Sequence, residues 1–418
     1  MLKRLVILFA AICLAAVAPS RSFEARAQQQ QTPLQEAIAK LPPQEQATLK
    51  AYEAARLAFL RRTDQYWHQT ELKRKKRKAK LAAGRTVGKA DYVTEQPPVY
   101  KGPERPAEIM AKLPKPPQPP VAETTEHVPI VDEFRQRAEE VYGFKPDEVE
   151  EDDFMISYAM EAIKLGLSRD QVVRLYALET GGMGTHDLQS GYNRRTRHAA
   201  STALGYAQLL AANTIEQVRK DGEEFALRLE HRAAEDDVSY GRAETLRAKA
   251  AILRRMIADA RKVADNWPAH VAYARTPNGI GMHALNLDGD LGPWLQVVKL
   301  KGIAEYAAKK GMTGLSGAQL ELMNLAGPSN GFEMMHPVGK KMPTSNFFER
   351  KGYGRNPVAA GKTGEQLLAK LDEIMDRNVQ KERAQRFAQI FDNIGQRIAK
   401  QRTQAAAGSW DPLSFIRR

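Results

Sequence analysis

The chain has 418 residues, a formal net charge of +13 and a single cysteine, Cys13. Its length allows two or three domains, and its basic balance favours an anionic partner such as a membrane surface, a cell-wall polymer or a nucleic acid. Because Cys13 lies in an N-terminal apolar segment, removal of that segment would exclude a disulfide, a thiolate metal site and a thiol nucleophile.

Residues 1–27 have the layout of a secretory signal. Lys3 and Arg4 precede an apolar run from Leu5 to Ala18, and Ala25-Arg26-Ala27 resembles a small-residue cleavage site. The run is short for a membrane span, so a cleaved signal is favoured over a retained anchor. We therefore expect export to the periplasm or the cell envelope.

Residues 28–127 are strongly biased in composition. A QQQQ run is followed by a helical pattern from about Pro43 to His68, by KRKKRK at Lys73–Lys78 and by PKPPQPP at Pro114–Pro120. Like charges repel and clustered prolines favour extended chain, so we expect a mostly disordered, basic and proline-rich arm with some helix. Residues Lys73–Lys80 could contact anionic envelope surfaces, and a simple linker is the alternative. A nucleic-acid partner is not expected for an exported protein, although charge alone favours such binding in vitro.

From about Val128 the chain has helical patterning. Apolar residues recur three and four positions apart and clear alternation is absent, which predicts an all-α fold for residues 128–345. Two charged, alanine-rich segments between about 214 and 265 predict a long helical hairpin. In residues 346–418, an apolar stripe that includes Phe387, Ile390 and Phe391 favours a helix packed on its own domain over a partner-binding helix.

A lone carboxylate ends one of the predicted helices. Ser168 and Gln171 fit a capping box at its start, and Glu179 continues the helix's apolar face before Gly181 and Gly182. The two glycines can take the left-handed backbone that ends a helix. Desolvation at the edge of an apolar face raises the pKa of a carboxyl group, which could then act as a general acid. The alternative is a glutamate that simply turns out to water.

Three short motifs follow one another in the chain: Glu179-Thr180-Gly181, Gly205-Tyr206-Ala207-Gln208-Leu209 and Asn324-Leu325-Ala326-Gly327-Pro328. Together they resemble the soluble lytic murein transglycosylases of the lysozyme-like superfamily, over about Asp153 to Met335. The resemblance implies an all-α, lysozyme-like catalytic domain with a glycan-binding cleft in residues 128–345. In such a domain the hairpin of residues 214–265 is an insertion.

The resemblance also implies a reaction. Glu179 would be the single catalytic acid and base, which protonates the glycosidic oxygen between N-acetylmuramic acid and N-acetylglucosamine of peptidoglycan. It would then take the proton of the muramyl 6-hydroxyl, leaving a 1,6-anhydromuramyl end. We expect no metal and no cofactor. The positions that match substrate-binding residues of the family are Thr180, Gly205, Tyr206, Gln208, Asn324, Gly327 and Pro328.

The sequence departs from the family at Met323, where the family has a tyrosine. A hydroxyl group that commonly supports the glutamate or the sugar in that family is therefore missing, and Tyr192 or Tyr206 is the candidate replacement. Two alternatives stay open. One is a hydrolytic, lysozyme-type muramidase with a second carboxylate, for which Asp187, beside His186, is the nearest candidate. The other is a non-catalytic cell-wall-binding scaffold that keeps the fold.

The segment NLDGDLG, Asn286–Gly292, has some features of a calcium loop. It lacks the glycine at the sixth position and the closing glutamate of such a loop. A helix entry with Asp290 as the cap before Pro293 explains the segment better.

Overall fold

The computed structural model describes residues 33–114 and 127–406. In these residues the regular structure is helical and β-pairing is limited to isolated bridges, so the all-α prediction is confirmed. The predicted signal, the QQQQ run and all of the proline cluster except Pro114 lie outside the described residues. Every helix of the described part is too short or too polar to span a lipid bilayer.

Sixteen α-helices follow one another in the described residues. They are α1 (Pro33–Ala39), α2 (Pro43–Ala82), α3 (Ala107–Ala111), α4 (Val131–Tyr142), α5 (Glu151–Lys164), α6 (Arg169–Glu179), α7 (Ala211–Ala233), α8 (Tyr240–Arg261), α9 (Trp267–Tyr273), α10 (Pro277–His283), α11 (Leu291–Lys309), α12 (Gly317–Ala326), α13 (Pro328–Met335), α14 (Arg350–Arg355), α15 (Gly364–Asn378) and α16 (Glu382–Ala406). The helices belong to two compact units: α1–α3 and α14 form the first, and α4–α13, α15 and α16 form the second.

Helix α2 is longer than the sequence pattern indicates, because it continues through the basic run. The segment that follows folds back along the helix. Lys73 Nζ donates to the carbonyl oxygen of Tyr92 at 2.6 Å, and Lys80 pairs with Asp91 at 2.6 Å. Arg77 is fully buried, with its guanidinium carbon 4.3 Å from the ring centroid of Tyr92. The basic run is therefore helical here, which differs from the disordered chain expected for it.

Two hydrophobic clusters form the core of the second unit. The first cluster joins α4, α7, α8 and α10, and α7 and α8 pack along each other as a helical hairpin. The second cluster joins α5, α6, α11, α12 and α16. Its largest buried side chains include Phe154, Tyr158, Tyr176, Tyr206 and Phe387.

The C-terminal helices pack against α6, the helix that ends in Glu179. Ala384 and Phe387 of α16 are buried in the second cluster, so the apolar stripe of the tail packs within its own unit. From α6, Arg174 reaches Asp372 and Asp376 of α15. The tail is therefore part of the structure that holds this helix.

Candidate functional site

Helix α6 carries Glu179 at its C-terminal end. The backbone N–H of Gln171 donates to Ser168 Oγ at 3.2 Å, and the N–H of Ser168 donates to Gln171 Oε1 at 2.9 Å, which completes the predicted capping box. Leu175 and Tyr176 are fully buried, whereas Glu179 keeps part of its surface exposed. The carboxyl group thus lies where the apolar core meets solvent.

Two glycines follow this helix. Gly181 and Gly182 have φ angles of 68° and 75°, left-handed values that residues with a Cβ rarely adopt. A Cβ on Gly182 would lie 2.5 Å from the carbonyl oxygen of Asn378, whereas Gly181 has open space around it. Asn378 Nδ2 donates to the carbonyl oxygen of Ala177 at 3.0 Å. The end of α15 therefore closes directly on the last turn of α6.

Asn324 joins Glu179 to a second carboxyl group. Asn324 Nδ2 donates to Glu179 Oε1 at 3.2 Å and to Glu321 Oε2 at 3.0 Å, so one amide nitrogen bridges the two carboxyl groups. Glu321 lies one turn before Asn324 on α12, and only 1 % of it is exposed. Asn324 and Glu179, from two separate motifs, thus meet although they are 145 positions apart in the chain.

Burial sets the protonation of this carboxyl pair. Desolvation raises the pKa of Glu179 to about 7, opposed in part by the charge of Lys299 and by the hydrogen bond with Glu321. Burial and the negative charge of Glu179 raise the pKa of Glu321 well above its ordinary value. Burial also lowers the pKa of Lys299 despite the nearby carboxylates. A carboxyl group that titrates near neutral pH can both give and take a proton, as a general acid and base must.

Tyr158 on α5 interacts electrostatically with Glu179. Burial raises the pKa of Tyr158, and the negative charge of Glu179 raises it further. Met323, at the position where the resemblance led us to expect a tyrosine, is fully buried in the second cluster. Of the two replacements expected from the sequence, Tyr192 is 37 % exposed and Tyr206 lies in the core. Of these three tyrosines, Tyr158 is the one that interacts electrostatically with Glu179.

The segment from Gly205 to Leu209 forms a tight turn. Gly205 has a φ of 74°, and a Cβ there would lie 2.4 Å from Gln296 Nε2. Gln208 has a φ of 42°, which is uncommon outside glycine. Its Nε2 donates to the carbonyl oxygens of Gly205 and Leu188, at 3.0 and 3.2 Å. The side-chain amide of Gln208 is thus held in one orientation, while the residue stays partly exposed and can be reached by a ligand.

Tyr206 differs from the expectation that it lines a cleft. It is fully buried, and its ring packs against Tyr176 and Phe154 with centroids 4.6 and 5.3 Å apart. Its hydroxyl donates to Glu151. A sugar cannot reach this side chain, so Tyr206 is a packing residue beneath the helix of Glu179 and not a substrate-binding residue.

Three other predicted positions lie at helix ends. Thr180 Oγ1 donates to the carbonyl oxygen of Tyr176 at 2.6 Å. Gly327, with a φ of 84°, joins α12 to α13, and Pro328 is exposed in the first turn of α13. Among the residues predicted from the motifs, Asn324 is the one that the described structure brings into hydrogen-bond contact with the Glu179 carboxyl.

The carboxylate considered for a hydrolase has other contacts. Asp187 accepts a hydrogen bond from the hydroxyl of Thr185 within its own loop. His186 Nδ1 lies 3.1 Å from Glu151 Oε2, and its ring stacks on Phe154 at 4.7 Å. The carboxyl group that is paired with Glu179 is that of Glu321.

Glu321, Lys299 and Tyr158 are functional candidates that the sequence patterns above do not identify. Glu321 and Lys299 each interrupt an apolar helical run, LELM and VVKL respectively. A charged residue in such a run indicates a buried charge in need of a partner. That signal could have selected both residues, but it does not reveal that Glu179 is the partner.

Three carboxylates converge near the segment NLDGDLG. Oxygen atoms of Asp147, Asp288 and Asp290 lie within 4.8 Å of one another. Lys249 Nζ lies 2.9, 2.8 and 2.5 Å from them, respectively, and Arg242 also pairs with Asp147 and Asp290, so two cations offset most of the negative charge of the cluster. Asp290 holds the N-cap position of α11, as expected, but its side chain makes no capping hydrogen bond. Asp288 Oδ1 accepts the N–H of Leu291 at 3.0 Å instead.

Two surface cavities have volumes of about 310 and 610 Å³. The smaller is lined by residues of α4, α8 and α10, and the larger by the start of α6 and the end of α11. Neither lining includes Glu179, Gln208 or Asn324. The carboxyl pair is therefore reached from the surface around Glu179 and not from either of these cavities.

Comparison of the chain with protein-family models, with curated proteins and with solved structures gives no match. A functional assignment therefore rests on the residues and contacts of this chain. The central contacts are the hydrogen bonds that link Glu179, Asn324 and Glu321.

Proposed function

We propose that this protein is a lytic transglycosylase that cleaves the β-1,4 bond between N-acetylmuramic acid and N-acetylglucosamine in peptidoglycan, with Glu179 as the acid and base. The observation that carries the proposal is the hydrogen bond from Asn324 Nδ2 to Glu179 Oε1. Motif order selects these two residues independently, and they meet at a carboxyl group whose pKa is raised to about 7. The proposal includes a lysozyme-like fold for residues 128–345 and an exported, periplasmic or envelope location.

The reaction needs two proton transfers at one carboxyl group. Glu179 first gives its proton to the glycosidic oxygen while the bond from that oxygen to the anomeric carbon breaks. The Glu179 carboxylate then takes the proton of the muramyl 6-hydroxyl, whose oxygen bonds to the anomeric carbon. The glycan ends in a 1,6-anhydro ring, no water is consumed and Glu179 is protonated again. A pKa near 7 suits a group that must act in both directions at neutral pH.

The carboxyl pair does not have the arrangement of a two-carboxylate hydrolase. Such enzymes hold their carboxyl groups about 5 to 9.5 Å apart, so that the sugar, or the sugar and a water molecule, fits between them. Glu179 and Glu321 instead share the donor Asn324 Nδ2, and Glu321 is 1 % exposed. Glu321 cannot act on the opposite face of a sugar ring. The pair therefore favours the single-acid reaction over a hydrolytic muramidase.

Asn324 and Gln208 supply polar groups for a glycan. Asn324 Nδ2 is used by the two carboxyl groups, whereas its Oδ1 is buried with no hydrogen-bond partner among the described residues. The residue as a whole stays partly exposed, so a sugar would contact the exposed part of Asn324 and not this buried oxygen. Gln208 is partly exposed, and its amide is already oriented by its own turn. These two residues are our candidates for sugar contacts.

The basic helix α2 is our candidate for contact with anionic envelope surfaces. Several of its cationic side chains, such as Lys73 and Lys80, bind oxygen atoms of the segment that follows the helix. Lys76 and Lys78 remain exposed on the same helix. These exposed lysines are the part of the basic run that can make such a contact, and the contact would weaken with rising salt.

Digestion of purified sacculi tests the proposed reaction. The chain without residues 1–27 is incubated with sacculi, and the released muropeptides are analysed by mass spectrometry after borohydride treatment, which reduces ordinary ends but not anhydro ends. We expect anhydro ends from the wild type and none from Glu179→Gln. Asp187→Asn is the matched control, which we expect to keep activity because Asp187 is bonded only within its loop in the described structure.

The possible outcomes separate the alternatives. Ordinary reducing ends from the wild type would identify a hydrolase. Equal release by the wild type and Glu179→Gln would mean that Glu179 is not the acid. Binding to sacculi without release by either protein would identify a scaffold.

A further inference from the structure

Glu321 is the more deeply buried member of the carboxyl pair, and the proposed reaction does not use it. It is 1 % exposed and lies on α12 one turn before Asn324. Its carboxyl group accepts from Asn324 Nδ2 at 3.0 Å, and the same nitrogen donates to Glu179 Oε1 at 3.2 Å, so the two carboxyl groups are neighbours. Two carboxyl groups that share a desolvated site cannot both be ionised without a large cost, so at least one of them holds a proton.

We propose that Glu321 is a positioning residue that keeps its proton throughout the reaction and donates it in a hydrogen bond to the carboxylate of Glu179. The catalytic consequence rests on the proposed function. The protonation itself is a property of the folded chain and can be measured without substrate.

Charge balance in the buried cluster decides which carboxyl group keeps the proton. The ammonium group of Lys299 on α11 acts on both Glu179 and Glu321, and Glu216 on α7 acts on Lys299 in turn. Tyr158 on α5 contributes a neutral phenol. Once Glu179 has given up its proton, the charges of a protonated Lys299, an ionised Glu179 and a protonated Glu321 cancel, which is the least costly state in a desolvated site. The proton stays on Glu321, which is more buried than Glu179.

This arrangement stabilises the carboxylate that the first step of the reaction creates. When Glu179 has given its proton to the glycosidic oxygen, its negative charge lies in a partly desolvated site. The protonated carboxyl of Glu321 and the amide of Asn324 then both donate to it. Hydrogen bonds to the charged form favour that form. The proton of Glu321 is never transferred, so the proton balance of the reaction is unchanged.

The test follows the titration of Glu179 directly. Carbon-13 NMR of the chain without residues 1–27, labelled at the glutamate side-chain carboxyl carbons, gives the midpoint of each group, and Glu179→Gln assigns the Glu179 signal. In Glu321→Gln the amide keeps a neutral donor, so we expect the Glu179 midpoint to stay close to the wild-type value. In Glu321→Leu the donor is lost, and we expect the midpoint to rise by about one pH unit.

A second buried glutamate provides the matched control. Glu161 is 4 % exposed and pairs with Arg228, which also pairs with Glu224. Glu161→Gln therefore changes another buried carboxyl group on the same unit without removing a donor from Glu179. We expect it to leave the Glu179 midpoint unchanged.

Two results would overturn the inference. If Glu321 were ionised at neutral pH, Glu321→Gln would remove a negative charge and lower the Glu179 midpoint by about one unit or more. An unchanged midpoint in Glu321→Leu would mean that Glu321 donates nothing to Glu179. If the leucine variant does not fold, the glutamine variant decides alone, since it distinguishes a protonated from an ionised Glu321.

Parallel digestion of sacculi separates this inference from the proposed function. We expect Glu321→Leu to lower kcat about tenfold with little change in KM, and Glu321→Gln to retain most of the activity. If the wild type releases no anhydro ends while the Glu179 midpoint responds as expected, the proposed function fails and the role of Glu321 stands. If anhydro ends are released and the Glu179 midpoint does not respond, the proposed function stands and the role of Glu321 fails.

Discussion

The hydrogen bond from Asn378 Nδ2 to the carbonyl oxygen of Ala177, 3.0 Å long, ties the end of α15 to the last turn of α6, two residues before Glu179. The two residues are 201 positions apart in the chain. The carbonyl of Ala177 is one of those that a helix end leaves without an intrahelical partner. The C-terminal helices thus help to position the proposed acid, although the family resemblance ends near Met335.

Replacement of Asn378 tests this tie. Asn378→Leu would leave the buried carbonyl of Ala177 without a donor, and we expect the free energy of unfolding to fall by about 1–3 kcal/mol. Urea unfolding followed by circular dichroism measures the change. Lys381→Ala is the control: Lys381 Nζ donates to Gly181 O at 2.7 Å, but the side chain is exposed, so its loss should matter less. Equal losses in the two variants would contradict the assigned role of Asn378.

The two glycines after Glu179 should respond differently to alanine. Gly181→Ala adds a Cβ in open space, so its cost is that of a left-handed backbone, about 1–2 kcal/mol. Gly182→Ala has the same backbone cost and also puts a Cβ 2.5 Å from the carbonyl oxygen of Asn378, which we expect to add about 1–3 kcal/mol. Melting temperatures of the two variants measure the difference. Similar values would mean that α15 can move away from α6 at little cost.

The sequence was sufficient to predict the local structure of the site. The helical fold, the capping box of Ser168 and Gln171, and the helix end at Glu179 depend on residues close together in the chain. The contact between Asn324 and Glu179 could be expected only because motif order linked two distant segments. These predictions depend on neighbouring residues or on the resemblance, and both can be read from one chain.

The other features of the fold and the site depend on how the helices pack, which the spacing of residues in the sequence does not reveal. Tyr206 matches a motif, but its ring fits among the aromatic side chains of α5, α6 and α16, so it is buried. The like charges of the basic run in α2 were expected to repel one another. In the structure, carbonyl and carboxylate oxygens of the following segment accept hydrogen bonds from its lysines. Glu321 could be recognised as a buried charge, but only the crossing of α12 and α6 determines that it meets Glu179.

The raised pKa of Glu179 should make stability depend on pH. Its pKa is about 7 in the folded chain and about 4.5 as an ordinary glutamate. Between these values the unfolded chain has lost the proton that the folded chain still holds, so the free energy of unfolding falls as pH rises through this window. Glu321, whose pKa is also raised, acts in the same direction. Above about pH 7 the contribution of Glu179 is constant.

Glu179→Gln provides the comparison for this pH dependence. Chemical unfolding of wild type and variant at several pH values between 4.5 and 7 measures the difference in stability. We expect the variant to become relatively more stable as pH rises, because its neutral amide has no proton to lose. A difference that stays constant across the window would mean that Glu179 titrates normally in the folded protein.

The ion cluster around Lys249 should be essential for stability. Lys249 is 4 % exposed, and its ammonium group lies among the carboxylates of Asp147, Asp288 and Asp290. Lys249→Met would leave these charges together without their buried partner, and we expect a loss of about 3–5 kcal/mol in urea unfolding. Lys262→Met is the control, since it removes an exposed lysine from a surface ion pair and should have little effect. Adding Asp288→Asn to Lys249→Met should restore part of the loss because it removes one of the repelling charges, and no recovery would point to lost packing instead of unpaired charge.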